Sequence, residues 1–337
     1  MSIALGRGVN ISHWLSQSDA RGEQRRTWFT ADDVRRIAAW GFDHIRLPVD
    51  EEQLWDEQGR REQEAFDLLA AGLDWAEAAG LRVVVDLHIL RSHHFNQPTQ
   101  PRLYTDAKEL SRFCDLWRDL AAFLAERRED HVAFELLNEP VARDPADWNR
   151  VAAAALAAVR QVQPTRPAVL GSNRFQSCDT FADLVVPDDP NLILSCHYYD
   201  PVLITHHQAS WSPVGVYDGQ VAYPGKIVSD AAMAAIGDPA VRSAVERSND
   251  VWDRRRTWVQ LKKPMAVAKR TGLPLYCGEF GCIHRLPQAL RIAWYTDVVA
   301  VFHELGIGYA NWDYRGEFGL LTDHGQDTAI LSILLGR

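Results

Sequence analysis

Short apolar runs alternate along the chain with longer stretches in which apolar residues recur at helical spacing. The apolar runs are residues 8–11, 44–49, 81–88, 132–139, 168–171, 192–199, 275–279 and 308–314, and the amphipathic stretches between them include 30–40, 64–79, 107–127 and 147–162. Such alternation is typical of a parallel α/β sheet whose strands are buried on both faces. Eight strand–helix units predict a closed (β/α)8 barrel.

The alternative α/β architecture is an open doubly wound sheet that binds a dinucleotide. Such a sheet needs a glycine-rich turn after the first strand, and residues 10–14 (Asn-Ile-Ser-His-Trp) do not supply one. The chain of 337 residues suits one barrel with an insertion. We therefore predict a single catalytic domain over residues 1–337, with a helix-rich insertion between strands 6 and 7 at about residues 211–272.

Two glutamates stand at the ends of predicted strands, which is an unusual place for a buried acid. Glu139 closes the run 132–139, and Glu279 closes the run 275–279. A carboxylate is costly to bury without a partner, and barrel enzymes collect their active sites at the C-terminal ends of their strands. One such acid alone favours a salt bridge to a helix arginine. Two of them predict the paired carboxylates that cleave glycosidic bonds.

Further polar and aromatic residues fall on the predicted strand ends in a recognisable order. They are Gly8-Val9-Asn10 with Trp14, Arg46 in Ile45-Arg46-Leu47-Pro48, His88 after Asp86-Leu87, Asn138-Glu139-Pro140, His197-Tyr198-Tyr199, Gly278-Glu279-Phe280-Gly281, and Trp312 in Asn311-Trp312-Asp313-Tyr314. Over nearly its whole length the chain resembles glycoside hydrolase family 5, a cellulase family of retaining (β/α)8 enzymes. Its layout also resembles that of the compact endoglucanases of this family, which carry a helical insertion between strands 6 and 7.

The resemblance and the chemistry assign a role to each acid. Glu139 is the candidate general acid/base, whose pKa a nearby ionised Glu279 would raise. Glu279 is the candidate nucleophile, which hydrogen bonds from Arg46 and Tyr199 would hold charged and aimed. Because His197 and Tyr199 alternate on one strand, they face the same side, and the family pattern implies that one contacts each glutamate.

The remaining candidates would bind sugar. Asn138 could hydrogen-bond the sugar 2-hydroxyl. Trp312 resembles the floor of the subsite that holds the sugar under attack, while Trp211, Trp14 and His206 are weaker candidates near the substrate. For each aromatic residue taken singly, core packing is the commoner use.

His88 has three interpretations from sequence: a hydrogen-bond donor to a sugar hydroxyl, a zinc ligand, or a buried histidine at the barrel end. Zinc hydrolases on barrels need His-x-His on the first strand, and residues 10–12 do not provide it, so we predict no metal and no cofactor. The pairs His93-His94 and His206-His207 are expected near the substrate or at the surface. The chain departs from many family members at Ile89, where a second histidine usually binds the neighbouring sugar.

Composition narrows the partners. With 36 Lys and Arg against 45 Asp and Glu, the formal net charge is −9, which argues against nucleic acid as a partner. Five irregularly spaced cysteines indicate reduced, buried thiols. Residues 1–6 do not form a signal peptide and no apolar run reaches membrane-spanning length, so we expect no membrane partner. We expect a monomer that is cytoplasmic as written, or secreted if an export signal was removed.

These features together predict a retaining, endo-acting β-glycoside hydrolase, with cellulose or mixed-linkage β-1,4-glucan as the expected substrate. The alternative within the enzyme class is a β-mannanase or another β-glycosidase of the family. A non-catalytic carbohydrate-binding barrel and a metal-dependent hydrolase are the alternatives from other classes.

Overall fold

Eight parallel strands close into a barrel in the computed structural model, which describes residues 3–322 and 325–337. The strands are β1 (Arg7–Asn10), β2 (His44–Val49), β3 (Arg82–Leu87), β4 (Val132–Glu135), β5 (Ala168–Gly171), β6 (Leu192–Tyr198), β7 (Leu275–Phe280) and β8 (Gly308–Asn311). Each strand pairs with the next along the chain, and β8 pairs with β1. The predicted (β/α)8 barrel is confirmed.

Helices surround the barrel, and local sequence signals define where several of them begin. The helices are α1 (Gly22–Trp28), α2 (Ala31–Trp40), α3 (Glu51–Leu54), α4 (Gln63–Ala78), α5 (Ala107–Phe123), α6 (Pro145–Val162), α7 (Asn173–Gln176), α8 (Val202–Thr205), α9 (Asp230–Ala235), α10 (Pro239–Glu246), α11 (Arg254–Thr271), α12 (Gln288–Leu305) and α13 (Thr328–Leu335). The N-terminus of α2 is held by the Thr30 amide, which donates to the Asp33 carboxylate over 3.0 Å. Asp144 caps α6 by accepting from the Ala146 amide, and Pro145 occupies the first turn, where its missing N–H costs nothing.

The stretch predicted as an insertion, residues 211–272, contains α9, α10 and a two-stranded sheet of Gly225–Lys226 with Val251–Trp252. Its last part is α11, which packs against β7 and α12. By its position, α11 is therefore the barrel helix that connects β6 to β7. The additional structure lies before Arg254.

The barrel interior has an apolar tier and a charged tier. The apolar tier is one buried cluster of Ile3, Val84, Ala133, Val169, Ile193, Tyr276 and Ala310. Side chains alternate along a strand, so residues two positions further on point to the same side. Asp86 follows Val84 and Glu135 follows Ala133 in this way, and both are fully buried. The charged tier therefore lies toward the C-terminal ends of the strands.

The thiols and the helices agree with the expectations from composition. All five cysteines are free and buried, so the prediction of reduced thiols is confirmed. Within the described residues, none of the helices combines the length and the apolar character that crossing a membrane requires.

Candidate active site

Arg46 on β2 organises the charged tier. Its guanidinium is fully buried, and all five of its N–H groups have an acceptor nearby. The acceptors are Glu135 Oε2 (2.6 Å from Nε), Asn10 Oδ1 (2.9 Å) and Glu279 Oε1 (2.6 Å) at Nη1, and Asn138 Oδ1 (2.8 Å) and Asp86 Oδ2 (2.9 Å) at Nη2. The sequence predicted one buried anion for this arginine, and the structure supplies three.

Glu279, at the C-terminal end of β7, is held on both carboxylate oxygens. Oε1 accepts from Arg46, and Oε2 accepts from the Tyr199 hydroxyl over 2.9 Å. Both contacts predicted for this glutamate are therefore confirmed. Burial raises the pKa of Glu279, while the Arg46 charge and the Tyr199 hydrogen bond oppose that rise.

Glu139 follows β4 and faces Glu279. Its Oε1 lies 3.0 Å from Nδ1 of His197, which confirms the contact with a glutamate that the family resemblance implied for this histidine. Burial keeps His197 neutral by lowering its pKa far below the usual value. The Glu139 backbone adopts φ 44°, in the left-handed region that costs a non-glycine residue about 1–3 kcal/mol. Strain of this kind is concentrated at functional sites.

The two glutamates share one small space. One carboxylate oxygen of Glu139, one of Glu279 and a ring nitrogen of His197 all lie within 4.8 Å of one another. Burial, reinforced by the negative charge of Glu279, raises the pKa of Glu139 well above its ordinary value. The positive charge of Arg46, which contacts Glu279 but not Glu139, opposes the rise in the pKa of Glu279. As pH rises, Glu279 therefore ionises before Glu139.

Several buried polar atoms near the glutamates have no partner among the described residues, and two of these atoms belong to side chains predicted to bind sugar. Asn138 Oδ1 accepts from Arg46, which fixes the orientation of the amide, and the buried Nδ2 remains free to donate. His88 places Nδ1 2.7 Å from Asp86 Oδ2, and its buried Nε2 remains free. Buried polar atoms are usually paired, so these two mark where ligand hydroxyls would bind.

A cleft of about 700 Å³ crosses the barrel mouth above the glutamates. Its walls come from loops on opposite sides of the barrel: His13, Gln17, His88, Ile89, His94, Phe95, Asn96, Phe175, Tyr199, Val202, His206, Trp211, Ser212, Pro213, Trp312, Asp313, Glu317 and Phe318. The predicted residues Trp312, Trp211 and His206 all line it. Trp312 lies parallel to His88, with ring centroids 5.6 Å apart, and Trp211 remains 48% exposed.

Three aromatic residues do not lie where the sequence suggested. Trp14 is fully buried, and its indole N–H donates to the Arg25 carbonyl, so it belongs to the core and the subsite prediction was wrong. His93 is also fully buried and packs edge-on against Tyr104. His207 is buried too, whereas His94 and His206 line the cleft.

Sequence reasoning missed the loop that presents Phe175. Arg174, Phe175 and Gln176 all have positive φ, and Phe175 is 47% exposed in the cleft wall. The loop is held from below, because the Gln176 amide donates to Glu135 over 3.0 Å and the Phe175 amide donates to the Pro140 carbonyl. No pattern in residues 173–176 signals this conformation. Glu135 and Asp86 could have been found, since they occupy inward positions of predicted strands.

Glu139, His197 and Glu279 are also the group, within residues 3–322 and 325–337, whose spacing could hold a metal ion. Their hydrogen bonds oppose that use. The His197 nitrogen is bonded to Glu139, and both Glu279 oxygens already accept from Arg46 and Tyr199. The donor set fits a pair of carboxyl groups with unequal pKa values better than a metal centre.

We expect Glu139→Gln to stabilise the protein against heat at alkaline pH. Because the folded pKa of Glu139 is raised, its protonated form contributes stability below the unfolded pKa, and this is lost as pH rises through the folded pKa. The glutamine should therefore raise Tm by several degrees at about pH 8 and change it little at about pH 4. Calorimetry at both values tests this, and an equal shift at both would contradict the raised pKa.

Comparison with known proteins gives the family. Residues 8–317 match the family model described as Cellulase (glycosyl hydrolase family 5). Endoglucanase C of Acetivibrio thermocellus is 31% identical over 317 residues, which cover 93% of this chain and 92% of that protein. Cellodextrinase A of Ruminococcus flavefaciens is 27% identical, over 91% of this chain and 84% of its own length.

Solved structures share the fold. A hyperthermophilic endo-β-1,4-glucanase in complex with substrate superposes with a TM-score of 0.79 at 20% identity, covering 99% of this chain and 97% of that one. The predicted family resemblance is confirmed. The chain belongs to glycosyl hydrolase family 5, the cellulase family, and is a glycoside hydrolase whose substrate is a polysaccharide.

Proposed function

We propose that the protein is a retaining endo-β-1,4-glucanase in which Glu139 is the general acid/base and Glu279 is the nucleophile. The observation that carries the proposal is the separation of the two acids, whose nearest carboxylate oxygens lie within 4.8 Å. Retaining enzymes hold their carboxyl groups about 5–5.5 Å apart, whereas inverting enzymes need about 6.5–9.5 Å to admit a water molecule.

The proposed reaction has two steps. Glu279 attacks the anomeric carbon while the proton of Glu139 passes to the departing glycosidic oxygen, which leaves a covalent glycosyl-enzyme. Glu139, now a carboxylate, then takes a proton from water as that water attacks the anomeric carbon and releases Glu279. The bonds from Arg46 and Tyr199 stabilise Glu279 as a carboxylate before attack and after release.

The walls of the cleft support an assignment of its two sides. Glu279 lies on β7, and Trp312 directly follows the neighbouring strand β8. We therefore propose that the sugar under attack lies against Trp312. Glu139 lies beside the Phe175 loop, because the Phe175 amide donates to the carbonyl of Pro140, the residue after Glu139. We therefore propose that the leaving sugar lies against Phe175. Sugar rings stack on aromatic side chains that line a cleft, and Trp211, which is 48% exposed, offers a further one on the insertion side.

Cleavage within a chain requires room for sugars on both sides of the glutamates. The cleft extends from the β1 loop (His13, Gln17) across the glutamates to the β5 and β6 loops (Phe175, Trp211), which supports endo action. The Acetivibrio relative is an endoglucanase and the solved enzyme of the same fold is an endo-β-1,4-glucanase, which agrees with endo action.

We expect a bell-shaped dependence of kcat/KM on pH. The acid limb reports Glu279, which must be ionised to attack, and the alkaline limb reports Glu139, which must keep its proton. Because the pKa of Glu139 is raised further than that of Glu279, both correct states coexist between the two limbs. Glu139→Gln should abolish the alkaline limb. An unchanged alkaline limb in that variant would assign it to another group.

The product pattern on a panel of polysaccharides tests the substrate and the mode of attack. Carboxymethylcellulose, lichenan, laminarin, xyloglucan and mannan would be compared at equal mass, with viscosity and reducing ends measured together. An endo-β-1,4-glucanase lowers the viscosity of carboxymethylcellulose early, before many reducing ends appear. Slow viscosity loss with steady release of one short sugar would instead identify an exo-acting enzyme, and a preference for mannan would replace the glucan assignment.

A further inference from the structure

The two ring nitrogens of His88 have different surroundings. Nδ1 lies 2.7 Å from Oδ2 of Asp86, whereas Nε2, on the opposite side of the ring, has no partner among the described residues. The ring lines the cleft and stacks on Trp312. Since Nδ1 is used by Asp86, Nε2 is the nitrogen that remains available to a sugar bound on Trp312.

Asp86 connects this histidine with the proposed nucleophile. It is fully buried on β3, two residues before His88, and the same Oδ2 lies 2.9 Å from Nη2 of Arg46. Arg46 in turn donates to Glu279. One carboxylate oxygen therefore contacts both a sugar-facing histidine and the arginine of the nucleophile.

The protonation state of the pair decides what Nε2 can do. An ionised Asp86 can only accept, so the proton of neutral His88 must lie on Nδ1, and Nε2 carries a bare lone pair. Burial lowers the pKa of His88 to about 3, which keeps the ring neutral. Burial also raises the pKa of Asp86 to about 7 against the opposing charge of Arg46, so Asp86 is ionised in mildly alkaline solution.

We propose that Asp86 is a positioning residue that fixes His88 in its Nδ1–H tautomer, so that Nε2 accepts a hydrogen bond from a hydroxyl group of the sugar stacked on Trp312. The proposal rests on the proposed glycanase function for the identity of the ligand. It reverses the direction of the hydrogen bond in one of the three interpretations of His88 from sequence, the one in which His88 donates to a sugar hydroxyl. A hydroxyl group would thus be recognised as a donor.

Nitrogen-15 NMR of histidine-labelled protein, in buffer above the pKa of Asp86, tests the tautomer without any substrate. The His88 signals are identified by their loss in His88→Gln. We expect a protonated Nδ1 and an unprotonated Nε2 in the wild type. A proton on Nε2 would overturn the proposal, whatever the polysaccharide panel shows, so this result is separate from failure of the proposed function.

Kinetics of Asp86→Ala provide the second test. Without the carboxylate no acceptor fixes the ring proton on Nδ1, so Nε2 can carry that proton and donate it to the sugar. Aryl β-cellobiosides in which single hydroxyls of the reacting sugar are replaced by fluorine probe this change, because fluorine cannot donate. In the wild type, fluorine at the recognised position should lower kcat/KM by about 10-fold, the effect of one lost hydrogen bond of about 1.4 kcal/mol.

The loss caused by fluorine should shrink severalfold in Asp86→Ala. We expect kcat/KM of this variant on the unmodified glycoside to fall about 10–100-fold, as for other residues that orient a ligating histidine. Asp50→Ala is the matched control. Asp50 is another buried carboxylate whose pKa is raised to about 7, but it accepts from the backbone amides of Gln17 and Ile89 and does not contact His88. The control should keep the wild-type fluorine penalty. An equal loss from fluorine in the wild type and in Asp86→Ala would overturn the proposal, as would a control variant that behaves like Asp86→Ala.

Discussion

Replacing Glu279 with Gln is expected to lower kcat on a soluble β-glucan by at least about 10⁴-fold, the order of loss found when an enzyme's nucleophile is removed. The amide keeps the volume of the side chain and can still accept from Arg46 or Tyr199, but it cannot form the ester of the glycosyl-enzyme. Initial rates with reducing-end detection, together with circular dichroism of the variant, separate loss of chemistry from loss of fold.

Glu135→Gln is the matched control for this experiment. Glu135 is a fully buried carboxylate that also contacts Arg46, at 2.6 Å, but it is not one of the pair that share the cleft. We expect the control to keep measurable hydrolysis. Similar losses in both variants would show that Glu279 acts only as a partner for Arg46.

Azide identifies the nucleophile directly. In Glu279→Ala, azide can occupy the space of the missing carboxylate and attack the anomeric carbon from the same face, which yields an α-glycosyl azide from an activated β-glycoside. Product analysis by NMR gives the configuration. A β-glycosyl azide from this variant would contradict the assignment of Glu279.

The second large effect is expected in Glu139→Ala, and its size should depend on the leaving group. Loss of a general acid/base costs about 10²–10⁴-fold. On a β-glucan, whose leaving oxygen needs a proton, we expect the full loss. On a dinitrophenyl β-cellobioside, which departs without a proton, the first step should be nearly normal while the second is slow.

A burst of dinitrophenol followed by slow turnover is therefore expected from Glu139→Ala, measured by stopped-flow absorbance. Azide should accelerate the slow phase and yield a β-glycosyl azide, because it attacks the glycosyl-enzyme where water normally would. Glu279→Ala is the comparison, since it should show no burst with the same substrate. Equal losses of Glu139→Ala on the glucan and on the activated glycoside would exclude Glu139 as the acid.

The sequence by itself determined the barrel and most of the candidate site. Eight buried parallel strands require continuous apolar runs, and such runs are readable without coordinates. Because all strands of a barrel end at the same rim, acids at two strand ends were expected at the same end of the barrel. Alternation on one strand put His197 and Tyr199 on the same side, and the family resemblance implied their contacts with separate glutamates, which the structure contains.

Only the tertiary structure decided which hydrogen bonds and ion pairs the residues of the charged tier form. Tyr276 points into the barrel, in the apolar tier, so simple alternation would make Glu279, three residues later, point outward. A register shift between β6 and β7 instead places Glu279 beside His197. The three anions around Arg46, the separation of the glutamates and the Phe175 loop all depend on contacts between strands distant in sequence. Local pattern specifies which residues face inward, whereas distances and partners depend on how the strands are staggered when the sheet closes.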